Sequence, residues 1–174
     1  MGQRNVLIEG VSGTGKTTIC DGLLRRGYHA IHGDRDLRPN RARESDRVLQ
    51  SDADRAAFVH AQGRWDVPKV RDHWENGHPE ISFFCGGFRN HADFVGLFDA
   101  VFVLEVDLDT LMRRLEDRPE EEVGGNPVER ALIKRLRATG EDMPKGAIPI
   151  DARKPIDQVA DDIVKTCRKL GLVR

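Results

Sequence analysis

A chain of 174 residues suits a single domain, since one core usually serves roughly 100–200 residues, and it leaves little for a second. Its 28 Lys and Arg nearly cancel 29 Asp and Glu, and a net charge of −1 shows none of the basic surplus that nucleic-acid or membrane partners select. With 39% hydrophobic residues and runs such as Val101-Phe102-Val103-Leu104, the composition is not that of a disordered chain. No stretch approaches the ~18 consecutive apolar residues of a membrane span. Lys16 interrupts the first apolar segment, so no signal core is expected. Cys20, Cys85 and Cys167 are odd in number and widely spaced, which fits neither a disulfide framework nor a zinc site. A reducing interior, and hence a cytoplasmic protein, is expected.

Residues 5–9 read as a buried strand ended by glycine. Residues 17–26 carry a helical stripe of Ile19, Leu23 and Leu24, and Gly27 closes it. Residues 28–32 form a second short strand before Gly33-Asp34. Residues 37–62 are polar and arginine-rich, with an amphipathic tendency only. A helix is expected over 67–74, a third strand over 80–84 and a short helix over 92–98. The strongest strand signal covers 100–106, followed by a helix over 108–118 that Pro119 stops. An acidic, glycine-containing loop spans 120–126. A helix over 128–138, a strand over 147–150 and a helix over 156–170 complete the chain. Strands alternating with helices imply a parallel sheet of about five strands with helices on both faces, an α/β fold in three layers.

The sharpest feature is Gly10-Val11-Ser12-Gly13-Thr14-Gly15-Lys16-Thr17, which fits G-x-x-x-x-G-K-[ST]. Gly10, Gly13 and Gly15 let the backbone turn so that successive N–H groups face phosphate oxygens, and the helix behind adds its positive end. Lys16 should reach the β- and γ-phosphates of a nucleotide, and the Thr17 hydroxyl should ligate Mg²⁺. Thr18 stands next to the α-phosphate. A strand before the loop and a helix after it supply the context the motif needs.

With this loop in place, the order of the remaining motifs resembles the small P-loop kinases: shikimate, gluconate and nucleoside monophosphate kinases and related phosphotransferases. The resemblance runs over nearly the whole chain, 1–174 as one domain, and only the phosphate loop is highly specific. It implies a P-loop fold, ATP and Mg²⁺ as cofactors, a small-molecule acceptor, and a monomer or dimer. Residues 37–75 would be the acceptor-binding insertion and residues 118–128 a short lid.

Four segments match. His32-Gly33-Asp34-Arg35-Asp36 resembles the D-x-D segment that ends the second strand in this group. On that match Asp34 is the base or hydroxyl-orienting group, or a metal ligand, and Asp36 assists Mg²⁺ or substrate. An Asp34 that merely caps a helix is the plainer alternative. Cys85-Gly86-Gly87-Phe88-Arg89-Asn90 resembles both the glycine-rich acceptor loop of shikimate kinases and the G-F-x-R loop of nucleotide kinases. Gly86, Gly87 and Arg89 are therefore acceptor-binding candidates, Arg89 through a bidentate contact to phosphate or carboxylate. Arg114-Leu115-Glu116-Asp117-Arg118 resembles the R-L-x-x-R helix end before the family's lid. Arg114 and Arg118 share one helix face and would clamp the ATP phosphates, unless local acids such as Glu120 to Glu122 hold them. Gly124 and Gly125 would be the lid's hinges. Asp151-Ala152 with Pro155 resembles the loop that covers adenine, which places Ala152 and Lys154 near the base or in an ordinary turn.

Arg35, Arg38, Arg41, Arg43 and Arg47 crowd one stretch among acids. A solvated helix explains them, as does an anionic acceptor pocket with Arg38 and Arg41 closest to Asp34. Arg135 and Arg137 are weaker clamp candidates. No apolar run ends in Asp-Glu, which weighs against a motor or AAA-type ATPase with a separate water-activating acid. Glu105 and Asp107 are the nearest substitutes. The six histidines show no metal spacing and read as structural or exposed. Cys85, beside the acceptor loop, is a candidate for reaction with thiol reagents. Trp65 and Trp74 read as core or lid packing. Hydroxyl phosphorylation is the leading expectation. A nucleoside monophosphate kinase and a nucleotide-dependent regulator without a small acceptor are the alternatives.

Overall fold

A computed structural model describes residues 4–39, 51, 56, 60, 63–75, 80–90, 93–120 and 122–173. Among these, five parallel strands form one sheet in the order β2-β3-β1-β4-β5: β1 (Arg4–Glu9), β2 (His29–His32), β3 (Ile81–Cys85), β4 (Ala100–Glu105) and β5 (Ile148–Asp151). Helix α1 (Lys16–Arg25) follows β1. One turn, α2 (Gly33–Asp36), follows β2, and α3 (Val67–Glu75) leads into β3. Helices α4 (Leu108–Glu116) and α5 (Pro127–Thr139) lie between β4 and β5, and α6 (Ile156–Lys169) closes the chain.

Alternation along the strands explains the two apolar layers. Val6 and Ile8 of β1 join Phe83 of β3 and Phe102 and Leu104 of β4 on one face, covered by Ile19 and Leu23 of α1 and Ile163 and Val164 of α6. Leu7 and Phe84 point to the other face, where Trp65, Val70 of α3, Phe88 and Phe94 pack on them. Strand β1 is central, pairing with β3 through Leu7↔Phe84 and with β4 through Leu7↔Val101. The chain winds outward from β1 in both directions. The crevices beside the carboxyl end of β1 are therefore where an open parallel sheet binds ligands.

Two expectations change. Of the expected helix over 92–98, the described residues 93–98 hold a 3-10 turn at Val95–Leu97: no side chain caps its start, and Gly96 weakens any helix there. The D-x-D segment, read as a strand end, is itself the helical turn α2. Arg41, Arg43, Arg47, His78, His91 and Glu121 lie outside the described residues. Among the described residues no helix is long and apolar enough to cross a membrane.

Candidate active site

The loop Gly10–Thr17 leaves β1 and enters α1 with glycines at the left-handed turns its path requires. Gly13 has φ +96, and a Cβ there would press Leu111 Cδ1 at 2.8 Å and Leu115 Cδ2 at 3.0 Å. Its bareness lets the loop rest directly on α4. Gly15, at φ +104, begins α1 with no atom within 4 Å of where its Cβ would stand, so the helix N-terminus opens onto space. Thr14 braces the loop, its hydroxyl donating to the Val11 carbonyl at 2.9 Å. Lys16 is buried, and its Nζ donates to the Gly10 carbonyl and, at 3.0 Å, to that of Val11. Burial draws the ammonium below its ordinary pKa, while Asp34 and Glu9 pull the other way. Thr17 and Thr18 are exposed on the first turn of α1.

Because α4 touches the loop through Gly13, it delivers Arg114 to it, while the helix stops at Glu116, short of the expected 118, and the turn beyond it brings Arg118. Arg114 donates to the Thr14 carbonyl at 3.3 Å and to the Ala152 carbonyl at 2.9 Å. Arg118 donates to Ser12 Oγ at 3.0 Å and to the Val123 carbonyl at 2.6 Å. The local acids named as competing partners do not take them among the described residues. Gly13, Thr14, Gly15, Thr18, Arg114, Arg118, Ala152 and Lys154 line one cleft of about 320 Å³. The structure thus gathers these candidates around one cleft, while Gly10, Ser12 and Lys16 border a different cavity and Thr17 is not part of this lining.

On the opposite face of β1, a cavity of about 180 Å³ is bordered by Gly10, Ser12, Lys16, Asp34, Arg38, His60, Gly87, Phe88, Arg89 and Asp142. Asp34 accepts from Arg38 Nη2 at 3.1 Å, an i,i+4 pair whose carboxylate is half exposed. Asp36 is not brought to this cavity. Its Oδ2 accepts the His32 backbone N–H at 3.2 Å, and its Oδ1 accepts from Arg35 Nε, so it serves its own turn. Gly86 is packed behind the wall, where a Cβ would meet Trp65 Cζ2 at 2.8 Å. Trp65 itself is 2% exposed and stacks on Phe88 with 3.9 Å between ring centroids, a core residue as expected.

Three cavity residues have no forecast in the motif reading. Arg89 Nη1 donates to His60 Nδ1 at 2.7 Å, so the His60 proton sits on Nε2 and is given to Asp142 Oδ2. His60 and Asp142 are two of them; they and Arg89 come from distant segments, and no local pattern announces their meeting. Glu9 is the third, 2% exposed at the end of β1. Period-two alternation through Asn5, Leu7 and Glu9 was the available signal, since it marks a charged residue on a buried face.

Several details correct the sequence reading. Gly124 and Gly125 are not loose hinges but close contacts. A Cβ at 124 would meet Leu115 Cδ2 at 2.7 Å, and one at 125 the Pro119 carbonyl at 2.0 Å. Glu129 Oε2 accepts the Gly124 N–H at 2.7 Å and ties the 118–126 segment to α5. Arg137 donates to the Val106 carbonyl, and Arg135 pairs with Glu141, so neither meets the loop. Asp107 caps α4 by accepting from Thr110, and Glu105 is exposed in a separate cleft with it. Cys85 is 3% exposed, and burial pushes its thiol well above the ordinary range, so it is not a reactive group.

Over residues 6–147 the chain matches an AAA domain. The chain belongs to this family. The assignment adds no water-activating acid, since β3 of this AAA domain still ends in Phe84-Cys85. It is similar to a gluconokinase of Gluconobacter oxydans (strain 621H), 29% identical over 168 residues, which cover 93% of this chain and 90% of that protein. Among solved structures it resembles a gluconokinase from Sinorhizobium meliloti 1021, with 20% identity, TM-score 0.58 and coverage of 96% and 93% of the two chains. It also resembles a shikimate kinase from Bacteroides thetaiotaomicron, with 15% identity, TM-score 0.59 and coverage of 95% and 98%. The solved structures establish the P-loop fold with its five-stranded parallel sheet.

Proposed function

We propose that this AAA domain is an ATP-dependent small-molecule kinase of the cytoplasm, moving the γ-phosphoryl group of ATP to a hydroxyl of a polyhydroxy acid such as gluconate. One observation carries the reading: Lys16 and Ser12 of the phosphate loop border the same cavity as Asp34, Arg38, Gly87 and Arg89. A γ-phosphate held by Lys16 would face a hydroxyl held by Asp34. The similarity to the Gluconobacter gluconokinase supports the acceptor class.

In this reading the loop N–H groups, Lys16, Arg114 and Arg118 bind the triphosphate and offset charge in the transition state. Asp34 orients the acceptor hydroxyl and takes its proton as the new O–P bond forms and the bond to the ADP oxygen breaks. Arg38 holds the Asp34 carboxylate in place, and Arg89 offers a guanidinium to an acceptor carboxylate. An exposed Thr17 hydroxyl and the Asp34 carboxylate are hard oxygen donors that fit Mg²⁺. Thr17 would hold Mg²⁺, which when bound supplies neutralisation of phosphate charge, and Asp34 is left to take the hydroxyl proton. Among the described residues no cluster of three or more His, Cys, Asp or Glu forms a metal site. Asp36 plays no direct part in this scheme.

The cavity is smaller than the roughly 300–1,000 Å³ of ordinary ligand pockets, which favours a compact acceptor over a nucleoside monophosphate. ADP release with gluconate, other sugar acids, polyols, cyclic acids and nucleoside monophosphates tests the reading. Asp34→Asn should lower kcat on a hydroxyl acceptor by about 10²–10⁴ and leave ATP binding in place. A monophosphate acceptor, already ionised, would tolerate that change. Tight ATP binding with no acceptor-dependent turnover across the panel would refute a kinase.

A further inference from the structure

Glu9 stands where an apolar residue would be simplest. Strand β1 turns Asn5, Leu7 and Glu9 to one face, and Leu7 lies there among Phe84, Trp65 and Phe88. A carboxyl group on that face costs stability unless each oxygen finds a partner. The Gly10 backbone N–H gives it one hydrogen bond, and Lys16 gives it a neighbouring positive charge. Among the described residues, Oε2 is buried with no hydrogen-bond partner at all.

Glu9 lines the acceptor cavity. The charged groups that face Glu9 are Lys16, Asp34 and Asp142. Both carboxylates among them are already served, Asp34 by Arg38 and Asp142 by His60. Glu9 therefore borders the cavity with a carboxyl group that the described protein groups leave one hydrogen bond short. The space beside it is kept by a glycine: a Cβ at Gly87 would stand 3.2 Å from Glu9 Oε1 and 3.7 Å from Lys16 Cε. A phosphate oxygen brings no proton to such an atom. A hydroxyl brings a proton and fits the space.

We propose that Glu9 binds the acceptor, its carboxyl group receiving a hydrogen bond from a hydroxyl other than the one phosphorylated. Glu9 thereby selects polyhydroxylated acceptors over singly hydroxylated ones. This rests on the hydroxyl-kinase reading above and adds a specificity residue that the motif resemblance does not contain.

The test compares wild type, Glu9→Leu and Glu9→Gln by ADP release with D-gluconate and its monodeoxy analogues as probes, or with whichever polyhydroxy member of the panel is turned over. Leucine is close in volume and replaces a buried charge with an apolar group, so the variant should fold, as a thermal melt will show. In Glu9→Leu the acceptor KM should rise roughly ten- to hundred-fold, with the KM for ATP and the Mg²⁺ requirement changing less than about threefold. Glu9→Gln, which keeps a hydrogen-bonding carbonyl, should recover part of the loss. One monodeoxy analogue should be a poor substrate for wild type yet equal to the parent acceptor for Glu9→Leu. An unchanged acceptor KM overturns the proposal, as does an equal rise in the ATP or Mg²⁺ requirement, which would place Glu9 on the nucleotide side. Wild-type turnover with no acceptor in the panel would remove the kinase reading itself, and the proposal with it.

Discussion

Replacing Gly33 with alanine puts local propensity and packing in direct opposition. Gly33 opens α2, and its φ lies outside the left-handed region, so the backbone itself accepts alanine. Helix propensity alone predicts a gain of about 1 kcal/mol. Packing predicts the reverse: a Cβ at 33 would lie 2.1 Å from Trp65 Cζ2 and 2.6 Å from Cε2, far inside the 3.4–4 Å of ordinary contact. Trp65 has nowhere to retreat. Its ring is stacked on Phe88, its backbone exchanges hydrogen bonds of 3.0 and 3.1 Å with the Asn90 side chain, and Gly86 closes the space behind. Overpacking of a dense core costs about 1–3 kcal/mol, and a clash this close belongs at the upper end. Less the propensity gain, a net loss of about 2 kcal/mol remains, or a fall in Tm of roughly 4–8 °C for a chain of this size. Urea titration and thermal melts of wild type, Gly33→Ala, Trp65→Leu and the double variant measure it. In the Trp65→Leu background the glycine substitution should cost nothing further, since the ring it strikes is gone. A Gly33→Ala protein as stable as wild type, or an equal penalty in both backgrounds, would refute the packing argument. Because Gly33 precedes Asp34, kcat should fall with stability.

Lys16→Ala should abolish turnover and the rise in Tm that saturating ATP gives the wild type, while the nucleotide-free Tm stays the same or increases, because burial disfavours the Lys16 charge. Glu129→Ala removes the carboxylate that holds the Gly124 N–H, and limited proteolysis should then cut within residues 118–126 several-fold faster, with α5 intact by circular dichroism. Burial raises the Glu9 carboxyl above its ordinary range, with Lys16 opposing. Stability from this group is therefore full below the unfolded glutamate pKa and is lost as pH rises above it. The margin by which Glu9→Leu exceeds wild type should widen from about pH 4 to 7 in denaturant titrations, and a constant margin would contradict the burial argument. Burial pushes the Cys167 thiol up to about 12 and the Cys85 thiol well above its usual value, and all three cysteines are buried. A thiol reagent at pH 8 should modify them only after unfolding, and fast labelling of the native protein would show that the core opens.

Much of this molecule is written locally. The strand-loop-helix at Gly10–Thr17 is legible because the motif's spacing, the apolar strand before it and the stripe after it agree on one structure. Arg114 is legible for the same reason, whereas Arg118 lies past the end of α4 and reaches Ser12 from the turn that follows. The five strands follow from apolar runs, several of them ended by glycine, and their parallel arrangement from the helices between them. The turn α2 and the 3-10 turn at Val95–Leu97 escape such reading, because a few residues carry no full period of either pattern.

The acceptor cavity is different. Asp34 is a plausible base in one dimension, and so is Asp36. Only the packed chain shows that Asp36 closes its own turn and that Asp34 faces Lys16 across a cavity. Glu9, His60 and Asp142 meet there from segments separated by more than 50 residues, a convergence set by strand order and by Trp65 wedged against glycines. Local sequence determined the phosphate loop, its arginine helix and the α/β class, because propensity and periodicity act over a few residues. Tertiary structure alone decided which carboxyl groups border the cavity beside Lys16 and which are consumed by their neighbours, because burial and long-range approach exist only once the sheet has formed.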